Sequence, residues 1–292
     1  MPEGDTILRT AQTMDRWLAG RVITRAQSAV PRVPADVLVG RTVLTVEARA
    51  KHLLVRFGPG DGSGLLGGEL TLRTHQRMGG SWYVTTNDTP WRRPAWQAQL
   101  VLEAGERLAI CFKAPVVELF PTRETAVHPV LRGLGPDVLA GPIPAGTVWS
   151  RATSLLEPDA PVGELLLDQR VVSGIGNIWR SESLFVCRVD PWARWPTIGT
   201  DALDRLAATA GELMGARVPT TSGAGAVPGP TPIGAPGGGR RWVYGRHGRP
   251  CWRCGTVIRS GRLGRQARTV WWCPTCQPPV ASPGSPGPGT RA

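Results

Sequence analysis

Lysine is nearly missing from this chain. Of its 34 lysine and arginine residues, only Lys51 and Lys113 are lysines, a bias that a GC-rich genome produces as readily as selection for guanidinium chemistry. Acidic residues are also few, 22 in all, which leaves a net charge of +12 and a pI near 10.8. A polyanion is the natural partner for such a surface, either nucleic acid or an anionic membrane, with binding that weakens as salt rises. No apolar run approaches the ~18 residues of a membrane span. The first residues lack the positive segment of a signal peptide. The expectation is a cytoplasmic protein with no membrane association. Disulfide pairing is disfavoured too, because four of the six cysteines fall as two CxxC pairs, a metal-ligand pattern. Cys111 and Cys187 stand alone in apolar stretches and are expected to be buried and inert.

A length of 292 residues suffices for two domains with separate cores. Apolar residues at Ile7, Ala11, Met14 and Leu18 predict a helix over 6–18, with Asp5 at the N-cap and Gly20 ending it. Short β-rich runs follow (RVIT, RTVLTVEA, HLLVRF, ELTLR, SWYVTT, AQLVLEA and RLAICF), separated by Gly, Pro and Asp. They predict a β-sandwich or barrel over 1–120. Helical segments are predicted over 148–156, 162–171, 177–185 and 201–214, within a domain spanning 121–216. Residues 217–239, rich in Pro and Gly, read as a flexible linker. A cysteine-rich module occupies 240–277, and 278–292 reads as a disordered tail.

Cys251, Cys254, Cys273 and Cys276 form two CxxC knuckles separated by eighteen residues that read as a β-hairpin. Four thiolates close a tetrahedral zinc site with no open position, hence one structural Zn2+. Such an ion supplies ~10–16 kcal/mol to a module too small to fold by burial alone. The hairpin arginines (Arg259, Arg262, Arg265 and Arg268) are read as phosphate contacts in preference to a merely solvated face.

Other motifs leave alternatives open. Gly174-Ile175-Gly176-Asn177 ahead of a helix can cradle an anion on backbone N–H groups, or can be a plain helix–turn–helix connection. Lys51, just before a strand, is either solvated or functional. Met78, in the HQRM loop, is either a wedge for a base stack or a core-facing side chain. The opening MPEGDT raises a further possibility. Removal of Met1 exposes Pro2 as a secondary amine next to Glu3, a pair that is either nucleophile and acid/base or an ordinary chain end.

Together, PEG, ARAKHLL, THQRMGG, LGPDVL, GIGNIWRSE, VYGRHGRPCWRCG and RTVWWCPTCQ resemble the formamidopyrimidine-DNA glycosylase/endonuclease VIII family, over Pro2 to Gln277. The resemblance implies an α+β multidomain fold: an N-terminal two-layer β-sandwich with a helix, a helix–two-turn–helix domain, and a four-cysteine zinc finger, with DNA in the cleft between. It implies a base-excision repair glycosylase with AP lyase activity. Pro2 is then the Schiff-base nucleophile, Glu3 the general acid/base, and Lys51 a catalytic lysine near the lesion. Asn177 and Arg268 hold phosphates, and Met78 fills the space of the extruded base. The chain departs from the purine-acting branch in PEGDT, and in KAPVVEL where that branch carries an opposite-base probe. These departures imply the endonuclease VIII side and oxidised pyrimidines. The expected partner is damaged double-stranded DNA, or bubble or single-stranded DNA, bound by a monomer at a bacterial nucleoid. The competing readings are a non-catalytic zinc protein that binds nucleic acid, and a glycosylase preferring 8-oxoguanine or formamidopyrimidine.

Overall fold

The structure is a computed structural model that describes residues 2–60, 67–218 and 241–279. These form two compact units, one of 1–139 and one of 140–217 together with the cysteine-rich module. Most of the expected linker at 217–239, and the expected tail beyond 279, lie outside the described residues.

The first unit opens with α1 (Gly4–Leu18), which buries Ile7, Ala11, Met14 and Leu18 as the 3.6-residue spacing requires. Asp5 is not its cap. Glu3 occupies that position in an extended conformation, and its carbonyl accepts the Thr6 and Ile7 N–H groups, so the helix starts earlier and Asp5 falls in the first turn. Eight strands follow: β1 (Arg25–Ser28), β2 (Val43–Arg49), β3 (His52–Phe57), β4 (Leu70–His75), β5 (Ser81–Thr86), β6 (Ala98–Ala104), β7 (Arg107–Phe112) and β8 (Val116–Pro121). They make two antiparallel sheets, ordered β1-β6-β7-β5 and β2-β3-β4-β8. One core joins them, in which Val55, Phe57 and Leu72 from one sheet and Leu100, Leu102 and Cys111 from the other are buried with the apolar face of α1. This is the expected sandwich.

Each outer face has a cover. The connection before β6 lays Trp91 over Phe112, beside buried Leu108 and Ile110. The segment after β8, with α2 (Pro129–Arg132), packs Leu131 on Leu54 and Phe120. That packing carries the first unit on to Leu139, past the strand boundary that sequence pattern marks near 121.

The second unit contains α3 (Thr147–Leu155), α4 (Val162–Leu165), α5 (Asn177–Val186), α6 (Trp195–Ile198), α7 (Thr200–Gly215) and the hairpin β9 (Arg259–Leu263) with β10 (Arg268–Trp272). The helix predicted over 162–171 stops at Leu165 because side chains compete for its backbone. The Asp168 carboxylate accepts the Arg170 N–H at 2.9 Å, and the Gln169 amide oxygen accepts that of Gly174 at 3.1 Å. Helix α5 is buried from Asn177 to Phe185 and forms the spine of this unit. Cys111 is buried, and burial pushes its thiol up to about 12. Cys187 is only half-buried, its thiol directed at the Thr209 hydroxyl. Among the described residues no helix is long and apolar enough to cross a membrane.

Candidate active site and nucleic-acid interface

In the first unit, helix and strand directions bring the N-terminus to Lys51. Asp15 accepts the Val46 N–H, and the Val43 carbonyl accepts that of Gly20. Helix α1 therefore runs antiparallel to β2. From Asp15 back to Glu3 is about 18 Å of helix, and from Val46 on to Lys51 is about 17 Å of strand. Both segments thus emerge at one end of the sandwich. Pro2 is half-buried immediately ahead of α1, and Glu3 is 1% exposed.

Lys51 sits in the tight turn between β2 and β3. Its neighbour Ala50 has a left-handed φ of 56°, which costs ~1–3 kcal/mol. The Asp137 carboxylate offsets that strain by accepting the Ala50 N–H at 2.7 Å and, through its other oxygen, the Leu139 N–H at 3.0 Å. Asp137 is a positioning residue that sequence reasoning missed, although it sits in the LGPDVL motif. An acid following proline in a loop was the available signal.

The same end of the sheet carries His52 opposite His75, with ring centroids 4.8 Å apart. Burial, then Arg73 and His75, lower the His52 pKa to about 2; burial and then Lys51 lower that of His75 to about 4. Both rings are neutral at pH 7, so no extra cation crowds Lys51. The His75 Nδ1 accepts the Arg77 N–H and shapes the loop that holds Met78. Met78 is 74% exposed, which settles its orientation toward solvent and not the core.

In the second unit, Gly174 takes a φ of 94°, open to glycine at little cost. The Gln169 amide fastens the turn by donating to the Leu167 and Ile175 carbonyls. Nothing in the sequence singled out Gln169. Gly176, not Asn177, is the N-cap of α5, and Asn177 is largely buried as the first helical residue. Its Nδ2 donates to the Thr269 carbonyl of β10 at 2.9 Å. The fully buried Arg180 donates to that same carbonyl at 2.8 Å and to the Asn177 side-chain oxygen. The residue before Thr269 is Arg268, which is exposed and borders a cavity of about 360 Å³ lined also by Arg170, Arg180 and Gln266. Asn177 is therefore tied, through one backbone carbonyl, to the strand residue that follows Arg268.

Glu182, from the same helix, is buried and accepts three successive N–H groups, from Trp242, Val243 and Tyr244, at 2.7 to 3.0 Å. Burial pushes its carboxyl up, opposed by those donors. It anchors the chain entering the finger, and sequence reasoning gave it no role. The four finger thiols lie within 4.8 Å of one another, with close pairs between 3.4 and 4.0 Å. A tetrahedral ion with Zn–S bonds near 2.3 Å requires sulfur pairs about 3.8 Å apart, so the four cysteines fit a metal ion. Arg259, Arg262 and Arg265 are exposed alongside Arg268.

Residues 1–113 match the formamidopyrimidine-DNA glycosylase N-terminal domain, and residues 134–225 match the formamidopyrimidine-DNA glycosylase H2TH domain. A "Probable endonuclease 8 2" of Streptomyces coelicolor is 38% identical, covering 100% of this chain and 98% of the relative. The chain belongs to the formamidopyrimidine-DNA glycosylase/endonuclease VIII family. A second relative, the "DNA-(apurinic or apyrimidinic site) lyase Nei2" of Mycolicibacterium smegmatis, is 34% identical, covering 95% of this chain and 99% of its own. Both place the chain on the endonuclease VIII side of the family. The fold is shared with a solved structure of MutM bound to DNA containing carbocyclic 8-oxo-G (TM-score 0.75, 20% identity, covering 95% of this chain and 100% of that one).

Proposed function

We propose that this protein is a base-excision repair DNA glycosylase with AP lyase activity that releases oxidised pyrimidines through a Schiff base on Pro2. The observation that carries the reading is the emergence of Pro2, Glu3 and Lys51 at one end of the sandwich, beside the exposed Met78 loop.

An α-amino group has a reference pKa of ~7.7–8.0, which leaves part of it neutral and nucleophilic near pH 7. The Pro2 lone pair attacks C1′, and the glycosidic bond breaks with its electrons leaving on the base, which takes up the proton that the Pro2 nitrogen gives up. Glu3 delivers a proton to the ring oxygen as the C1′–O4′ bond opens, giving an iminium ion. That cation acidifies the C2′ hydrogen. Loss of the C2′ proton expels the 3′ phosphate, and a second elimination expels the 5′ phosphate. Water then releases Pro2. Lys51, held by Asp137 through the Ala50 turn, places a cation near the lesion. Met78 occupies the space that the extruded base leaves. Asn177 and Arg268 hold the flanking phosphates, and one structural zinc on Cys251, Cys254, Cys273 and Cys276 keeps the hairpin formed.

The preference for pyrimidines rests on the KAPVVEL segment. Only Lys113, Ala114 and Pro115 connect β7 to β8, where the purine-acting branch carries its opposite-base probe. The test is single-turnover release on matched duplexes that differ only in the lesion. Thymine glycol and 5-hydroxyuracil should be released faster than 8-oxoguanine. Faster release of 8-oxoguanine opposite cytosine would place the chain with the purine-acting enzymes.

A further inference from the structure

Resting on that base-extruding reading, we propose that Trp96, backed by Lys113, is a stacking site for the unpaired base left on the complementary strand when its partner is extruded. Extrusion creates an orphan base with an uncovered face. The short β7–β8 connection has one long side chain, that of Lys113, and its Nζ lies against the Trp96 ring. Trp96 comes from a different segment, the connection before β6, and is 78% exposed, more open than any other large apolar residue among those described.

Three contacts link its segment to the loop that holds Met78. Gly80 belongs to the Met78 loop, and its backbone is packed so closely that a Cβ there would lie 2.8 Å from the Gln76 Cα and 3.0 Å from that of Ala114. The Met78 loop and the β7–β8 turn are therefore in direct contact. Lys113, in that turn, donates its N–H to the Gln97 carbonyl at 3.3 Å, one residue after Trp96. Its Nζ stands 5.7 Å from the Trp96 ring centroid. A left-handed φ of 48° at Lys113 and the buried Ala114 shape this turn.

The surroundings suit a nucleic-acid strand. The stretch WRRPAWQ (91–97) carries Arg92 and Arg93 and no acid. Arg92 lies over Tyr83, with its guanidinium carbon 4.9 Å from the ring centroid, and Arg93 reaches toward Phe112. Trp91 is half-buried and packs edge-on against Phe112 as part of the sheet cover, whereas the Trp96 ring is turned outward. An exposed aromatic ring backed by an ammonium group, in a segment that also carries two arginines, is the combination that holds an unstacked base with its phosphate.

The test uses the full chain and a duplex with a tetrahydrofuran abasic analogue, which binds without being cleaved, and 2-aminopurine opposite it. In the wild-type complex the 2-aminopurine should be quenched by stacking. Trp96→Ala should leave it several-fold brighter and weaken binding about tenfold, in line with ~1–3 kcal/mol per stacked base. Trp96→Phe should restore the quenching and most of the affinity. Trp96 lies on the surface, so a melting curve checks that both variants fold. Equal brightness and equal affinity for wild type and Trp96→Ala would overturn the proposal. A shift that appears only when 2-aminopurine is moved to the lesion strand would overturn it too. Borohydride trapping of wild type on a true abasic site separately reports the glycosylase/lyase reading, because the stacking measurement needs no chemistry.

Discussion

The two units position their chemistry by opposite means. In the first, functional groups stand at the ends of elements: Pro2 and Glu3 at a helix start, Lys51 in a two-residue turn, Met78 in a loop. In the second, the groups that matter most are inside. Arg180 and Glu182 are buried along one helix and act on the finger's backbone, as Asn177 does with one amide hydrogen, and the four hairpin arginines face outward. Reaction and stability should therefore separate in the first unit and fall together in the second.

The largest effect expected is on Glu3. Glu3→Gln should slow release of an intact damaged base by ~10²–10⁴-fold, while cleavage at a preformed abasic site, already an aldehyde, partly survives. Single-turnover assays on both substrates, with a melting curve that barely moves, would support the separation. Equal loss on both substrates would make Glu3 a shaping residue.

Glu182→Ala should do the reverse. It leaves the Trp242, Val243 and Tyr244 N–H groups without their acceptor, at ~1–3 kcal/mol for each buried donor. The expected outcome is faster loss of zinc to a chelator and a lower melting temperature, with weaker DNA binding following from both. Normal zinc retention would show that the finger is anchored elsewhere. Arg268→Ala is milder. It should keep zinc and cost ~1.5–3 kcal/mol of binding, the value of a hydrogen bond to a charged group, or roughly tens of fold in affinity by filter binding or anisotropy.

These contrasts follow what was legible in the sequence. The α1 stripe, six of the sandwich strands and the zinc knuckles were readable because periodicity and spacing reflect local geometry. The short strands β1 and β8 were not, since RAQS and VVELFP carry little alternation. The early end of α4 was hidden as well, because it depends on where the Asp168 and Gln169 side chains turn. At the proposed site, Pro2, Glu3, Lys51, Asn177 and Arg268 were assigned through motif. Asp137 and Glu182 act by accepting from distant backbone, and Gln169 by bracing its own turn, and neither pairing is visible until the chain is folded.

A smaller effect concerns acid. The unfolded chain protonates His52 and His75 near pH 6.5, whereas the folded chain holds them to about 2 and about 4. The unfolded state thus binds more protons below pH 6.5, so stability should fall as pH drops, down to about 4 for His75 and lower for His52. Lys51, Arg73, Arg77 and His128 are the charged or titratable groups that bear on the pair. Melting temperatures between pH 7.5 and 5.5 should show the slope, and the His52→Gln/His75→Gln double variant should flatten it.

The central claim is that the amine of Pro2 forms the covalent bond, and peptide mapping of the borohydride-reduced adduct tests it most directly. The full chain is trapped on abasic DNA, the DNA is digested away, and the modified peptide is located by mass spectrometry. The account predicts the sugar remnant on the N-terminal peptide beginning at Pro2, and no adduct when an additional residue precedes Pro2 and converts its amine to an amide. A remnant on the peptide containing Lys51, or full trapping by the extended chain, would contradict it.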